Sequence, residues 1–114
     1  MKSLRQKQAK FLVMVSKLVS FCNLIGVKVF VNEWYRTPER QAELVKQKKS
    51  QTLNSKHLKG LAVDLVILKD DGSCDWDFEH YKLLGEYWTE HCGGIWGGSF
   101  KTLKDGVHFE YPTS

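Results

Sequence analysis

No stretch of this 114-residue chain is apolar for long enough to span a bilayer or to serve as a secretory leader. The N-terminus opens on charged residues, and its apolar run, Phe11 to Val15, is broken soon after by Ser16 and Lys17. Membrane insertion is therefore not expected. The protein is expected to be made in a cytoplasm without a signal peptide, so a substrate outside the cell would have to be reached by another route. Cysteine is scarce. Cys22, Cys74 and Cys92 are an odd count with no C-x-x-C pair, which argues against a disulfide framework, and reduced thiols are the simplest expectation. Internal repeats and linker-like segments are missing as well, so one domain over residues 1–114 is expected. Nowhere are aromatics interleaved with base-reading residues, which argues against a nucleic-acid-binding module.

What is present is the composition of a globular protein, 42% hydrophobic and 26% charged. The formal charge is +4, and many of the basic residues sit near the N-terminus and between Lys46 and Lys59. Such a surface suits a polyanionic partner, nucleic acid or an anionic cell wall, and equally describes a solvated helix face.

Hydrophobic spacing orders the chain. Residues 3–24 read as an amphipathic helix with Leu4, Phe11, Leu12, Val15, Leu18, Val19 and Cys22 on its apolar stripe. Val27 to Tyr35 reads as a strand in which Val27, Val29 and Val31 alternate with other residues. Thr37-Pro38-Glu39 is a helix start, with a cap, a first-turn proline and an acid at the positive end of the dipole. That helix is expected to reach about Lys48, followed by a polar loop from Lys49 to Asn54. Leu61 to Leu68 is the strongest strand, and Lys69 to Ser73 a turn. Asp75 or Asp77 caps a helix to about His91, with Phe78, Tyr81, Leu84 and Trp88 inward and Gly93-Gly94 ending it. Ile95 to Phe100 reads as a short strand and bend, and Val107 to Tyr111 as the last strand. The order predicts a small α+β domain, a central antiparallel sheet with helices packed on it.

Two fragments carry chemistry. Ser55-Lys56-His57-Leu58-Lys59-Gly60-Leu61-Ala62-Val63-Asp64 places an imidazole and a carboxylate seven positions apart. Asp105-Gly106-Val107-His108-Phe109-Glu110 supplies a second imidazole with an acid three residues before it. Two imidazoles and one carboxylate suffice for a catalytic zinc, because such sites keep the fourth position for water. On a strand Asp64 shares a face with Ala62 and Val66, away from Leu61, Val63, Leu65 and Ile67. An ionised carboxylate there needs a cation, either a metal or a buried Arg or Lys. His108 and Glu110 share a face, and if their strand lies beside that of Asp64 the two fragments can converge. Gly60 would let His57 turn back over the same face. Asp105 is then a general base near the metal, or simply the acid of a Lys-Asp-Gly turn. Arg36 is either a guanidinium aimed into the cleft or a surface partner of Glu39 or Glu43. His80 and His91 have no spacing relation to the ligands and read as structural.

These fragments resemble one family. Ser-Lys-His-Leu-Lys-Gly-Leu-Ala-Val-Asp fits the S-x-H-x-x-G-x-A-x-D pattern of the D-Ala-D-Ala carboxypeptidase / VanY-like zinc peptidases, which include L-alanyl-D-glutamate endopeptidases of phage endolysins. Asp-Gly-Val-His-Phe-Glu resembles the family's D/E-x-x-H segment, and Tyr35 to Gln41 its arginine-bearing motif. The resemblance implies one zinc ion on His57, Asp64 and His108, Asp105 as acid/base, Arg36 at the transition state, and Ser55 near the substrate's polar end. It implies the family's α+β fold, of Hedgehog/DD-peptidase type. It further implies a bacterial peptidoglycan substrate, most simply the L-Ala–D-Glu bond, and a monomeric lysis enzyme acting on the wall after release through a holin. A D-Ala-D-Ala carboxypeptidase or dipeptidase, and a zinc-stabilised wall-binding domain without catalysis, are the alternatives.

Overall fold

A computed structural model describes residues 2–49 and 55–112. Its elements are helices α1 (Leu4–Leu24), α2 (Pro38–Lys46) and α3 (Lys82–His91), and strands β1 (Lys28–Glu33), β2 (Ala62–Leu68), β3 (Cys74–Asp75), β4 (Ile95–Trp96) and β5 (His108–Glu110). The five strands pair antiparallel in the order β1-β2-β5-β4, with β3 also on β2. The expected α+β architecture is therefore the observed one. From residue 50 onward, the polar loop expected over 49–54 lies outside the described residues. Among the described residues no helix is long and apolar enough to cross a membrane.

Helix α1 starts on a capping box. Ser3 Oγ accepts the Gln6 N–H, and the Gln6 side chain accepts the Ser3 N–H in return. Its buried line is Phe11, Met14, Val15, Leu18 and Cys22, an i+3/i+4 series. Leu4, Leu12 and Val19, expected on that stripe, are exposed. Leu12 and Val19 each follow a buried residue by one position, about 100° round the helix, beyond the side that meets the sheet. Helix α2 begins as expected, with Thr37 Oγ1 accepting the Arg40 N–H and Pro38 in the first turn. Asp77 caps a 3-10 turn, Phe78–Tyr81, that runs into α3.

The period-2 pattern of β2 sorts its side chains onto two faces. Leu61, Val63, Leu65 and Ile67 join α1, Tyr81, Leu84, Trp88 and Phe109 in one core. Ala62, Asp64 and Val66 are buried on the opposite face. Helices α1 and α3 cover the first face, whereas α2 supplies Leu44 to a cleft instead. Strand β1 keeps Val29 against the core but leaves edge residue Val31 half exposed. Between Val31 and Glu33 the ladder slips: Val31 pairs with Leu65, and Glu33 pairs with Asp64. This bulge turns Glu33 to the Asp64 face, where strict alternation would keep it with Val29 and Val31.

Candidate metal centre and active site

The local fold aims three ligand atoms at one point. Ser55 Oγ accepts the His57 N–H and caps the 3-10 turn Lys56–Lys59. Gly60 closes that turn with φ +66°, a left-handed conformation that a side chain would strain. The turn is tied to the end of β1 by Arg36 N–H to His57 O at 2.9 Å and by Trp34 Nε1–H to Gly60 O at 3.3 Å. Asp64 and His108 face each other directly across the β2–β5 ladder.

Hydrogen bonds set which nitrogen each histidine presents. His57 Nδ1 lies 2.8 Å from the Trp34 carbonyl oxygen. A carbonyl only accepts, so this nitrogen carries the proton and Nε2 offers its lone pair. His108 Nε2 lies 2.8 Å from Glu110 Oε1, whose carboxylate accepts that N–H and leaves Nδ1 as the ligand atom. His57 Nε2, Asp64 Oδ1 and His108 Nδ1 then form a triangle with all three sides 3.2 Å. Three such atoms turned on one another need positive charge among them, from a bound metal ion or, without one, from imidazole protons. In a tetrahedral site that edge length corresponds to a ligand distance of about 2.0 Å, the range for zinc with nitrogen and carboxylate oxygen. Among the described residues this is the one such grouping of His, Cys, Asp and Glu.

Without a metal, protons stand in the place between the ligands. Burial alone would raise the Asp64 carboxyl, but hydrogen bonds from His108 and His57 hold it down at about 2. Burial alone would lower His108, but Asp64 and Glu110 hold it up at about 9. Glu110 is held in turn by Lys56 Nζ at 2.8 Å, and Lys56 also reaches the Tyr111 carbonyl.

Asp105 lines the same cleft, which has a volume of about 470 Å³. Burial and the Asp64 charge raise its pKa. It is carried on a turn: its N–H donates to Gly97 O at 3.0 Å, and its carbonyl accepts the His108 N–H at 3.2 Å. Gly97 is obligatory here, since a Cβ would stand 2.4 Å from Asp105 O and 2.8 Å from His108 Cβ. Arg36 is 8% exposed and is not the surface partner of Glu39 or Glu43. It binds Glu33 Oε2 at 2.6 Å and Gln41 Oε1 at 2.7 Å, and stands 3.9 Å from Asp64 Oδ2. Its Nε–H is buried without a partner among the described residues. Ser55 also lines the cleft.

The fold thus collects His57, Asp64, His108, Asp105, Arg36 and Ser55 around one cleft. His80 is apart from it, paired with Asp75 at 2.6 Å, and His91 lies against Tyr87. Sequence reasoning missed Trp34, Glu33, Gln41, Lys56 and the role of Glu110. Only Glu110 carried a signal, its place on the His108 face.

Comparison with known proteins agrees with this geometry. The profile of a family described as D-alanyl-D-alanine carboxypeptidase matches residues 48–111. The chain is 33% identical over 102 residues to the Bacillus subtilis peptidoglycan L-alanyl-D-glutamate endopeptidase CwlK, covering 75% of this chain and 61% of that protein. It is 31% identical over 99 residues to an L-alanyl-D-glutamate peptidase of a Listeria phage, covering 83% of this chain and 34% of that protein. The chain therefore spans less than two thirds of either relative. The crystal structure of the Serratia marcescens L-Ala D-Glu endopeptidase ChiX superposes with a TM-score of 0.64 at 41% identity, over 75% of this chain and 68% of that one. A zinc-bound vancomycin-resistance D,D-pentapeptidase, VanY, also superposes at 0.64, over 89% of this chain and 70% of that one. At 23% identity it shows a common fold.

Proposed function

The chain belongs to the D-alanyl-D-alanine carboxypeptidase family, and on that premise we propose that it is a zinc peptidase cutting the L-Ala–D-Glu bond of peptidoglycan stem peptides. The observation that carries the reading is the 3.2 Å triangle of His57 Nε2, Asp64 Oδ1 and His108 Nδ1, which would hold one zinc ion. The choice of bond is supported by the L-Ala–D-Glu activity named for CwlK, the phage peptidase and ChiX. The phage relative supports a role in wall lysis.

Zinc bound there supplies Lewis-acid polarisation and makes water reactive near neutral pH. Asp105 takes the proton from the attacking water and returns it to the leaving amine nitrogen. A carboxyl raised above its ordinary range suits both halves of that task. Arg36 fixes positive charge beside Asp64, where it favours the negative charge that develops on the substrate carbonyl oxygen. Ser55 spends its oxygen on the His57 N–H, and its hydroxyl proton is left for a substrate oxygen.

Mass analysis of purified walls digested with the protein tests this reading. Freed stem peptides beginning at D-Glu are expected, and a chelator should stop their release. Release of D-Ala alone would assign a D,D-carboxypeptidase instead, and no release would leave a zinc-stabilised binding domain.

A further inference from the structure

Among the described residues, the cleft holds one cation that the proposed reaction does not use. Its acids are committed: Asp64 to the two histidines, Glu33 to Arg36 at 2.6 Å, Glu110 to Lys56 at 2.8 Å. Asp105 is reserved for the proton. Lys49 also lines the cleft, and among the described residues its ammonium makes no ion pair or hydrogen bond. An uncompensated cation on the wall of a binding cleft is a recognition group for an anion.

The backbone supports the assignment independently. Helix α2 ends in a Schellman motif, with Lys48 N–H to Val45 O at 3.0 Å and Lys49 N–H to Leu44 O at 2.8 Å. The position that glycine normally takes is Lys48, at φ +61°. Leu103, at φ +48°, is the other described non-glycine residue with positive φ, and it lines the same cleft. Left-handed backbone at a side-chain-bearing residue is unfavourable and collects at functional sites. Here it falls immediately before Lys49, at the turn that delivers this residue to the cleft wall.

We propose that Lys49 reads a free carboxylate carried by the peptide substrate beside the scissile bond, so that the cleft selects an acidic stem peptide over its amidated form. This rests on the peptidase reading above and supplies its specificity. In an L-Ala–D-Glu stem the group is the α-carboxylate of D-Glu, which the amide of D-isoglutamine would remove. The carboxylate and ammonium meet near solvent, so the preference is modest and sensitive to salt.

The test uses the zinc-loaded full chain and two non-hydrolysable reduced-amide isosteres of the stem dipeptide, one with a free α-carboxylate and one with the α-amide. Calorimetric titration at low salt should show the acid binding about fivefold tighter than the amide. Lys49→Gln should bring that ratio to one, Lys49→Arg should keep it, and high salt should shrink it in the parent protein and in Lys49→Arg alike. Equal binding of both isosteres by the parent protein, or an unchanged ratio in Lys49→Gln, would overturn the proposal. Hydrolysis of the ordinary peptides is scored separately. A preference without hydrolysis sinks the peptidase reading and leaves Lys49 as an anion-recognition group, whereas hydrolysis without a preference sinks only the role of Lys49.

Discussion

His108 donates its Nε2–H to Glu110 at 2.8 Å, two residues along the same strand, and so turns its Nδ1 lone pair toward His57 and Asp64. Glu110 is in turn anchored by Lys56, the neighbour of His57. The metal ligands are thus oriented by groups that do not themselves touch the metal position, the usual way a ligating imidazole is held.

Replacing Glu110 with Ala should weaken zinc binding about 10- to 100-fold while the chain stays folded. Competition against a chromophoric chelator measures the affinity. Glu110→Gln, which still accepts the N–H but lacks the charge, should fall between. Undiminished affinity in the alanine variant would remove Glu110 from this role.

Asp105→Asn should bind zinc as tightly as the parent, because Asp105 is outside the ligand triangle, yet lose about 10²- to 10⁴-fold in turnover. Parallel metal titration and muropeptide digestion separate the two effects. If turnover survives, the proton is moved by another group.

Arg36→Lys keeps a charge but cannot reach Glu33 and Gln41 together as the planar guanidinium does. We expect kcat to fall about 10²-fold with little change in KM. A change confined to KM would instead make Arg36 a ground-state binding residue.

The metal-free protein should have a characteristic stability profile. His108, raised from 6.5 to about 9, contributes fully below pH 6.5 and loses its contribution as pH rises through about 9. Asp64, lowered from 3.8 to about 2, contributes fully above pH 3.8 and loses its contribution as pH falls toward 2. Tm without metal should therefore be highest between about pH 4 and pH 6.5. Zinc requires the bare imidazoles, so the Tm gain on adding zinc should grow from pH 6.5 to 9. Thermal melts with and without chelator check both slopes, and a metal-free Tm that climbs over that upper range contradicts the first.

Gly97→Ala forces a Cβ against the Asp105 carbonyl and His108. A loss of about 1–3 kcal/mol in urea unfolding is expected, with weakened zinc binding because the His108 turn must shift. Alanine at exposed Lys101, in the same connection, serves as the control and should change neither.

Much of this was legible in the residues themselves. The period of two in residues 61–68 placed Asp64 on the face away from the core, because strand side chains alternate whatever their neighbours are. His57, Gly60 and Asp64 could be read together because a short turn brings them close along the chain, and the caps Thr37 and Asp77 are likewise local. The helical period of α1 was equally clear, but it could not say that Leu12 and Val19 lack a partner, since exposure depends on what packs alongside.

What the tertiary structure alone decided are the relations between distant or backbone groups. The slip between Val31 and Glu33 brings Glu33 beside Asp64 and so buries Arg36, an outcome that alternation within β1 would not suggest. The Trp34 carbonyl orients His57 through an atom every residue possesses, so no side chain marks it. Lys56 meets Glu110 only because β5 lies beside β2. Sequence by itself determined which chemical groups the chain owns and, along β2, which face each occupies, because those follow from residue type and local period. Pairing of strands across the chain determined which of those groups meet, because convergence is a property of register in space.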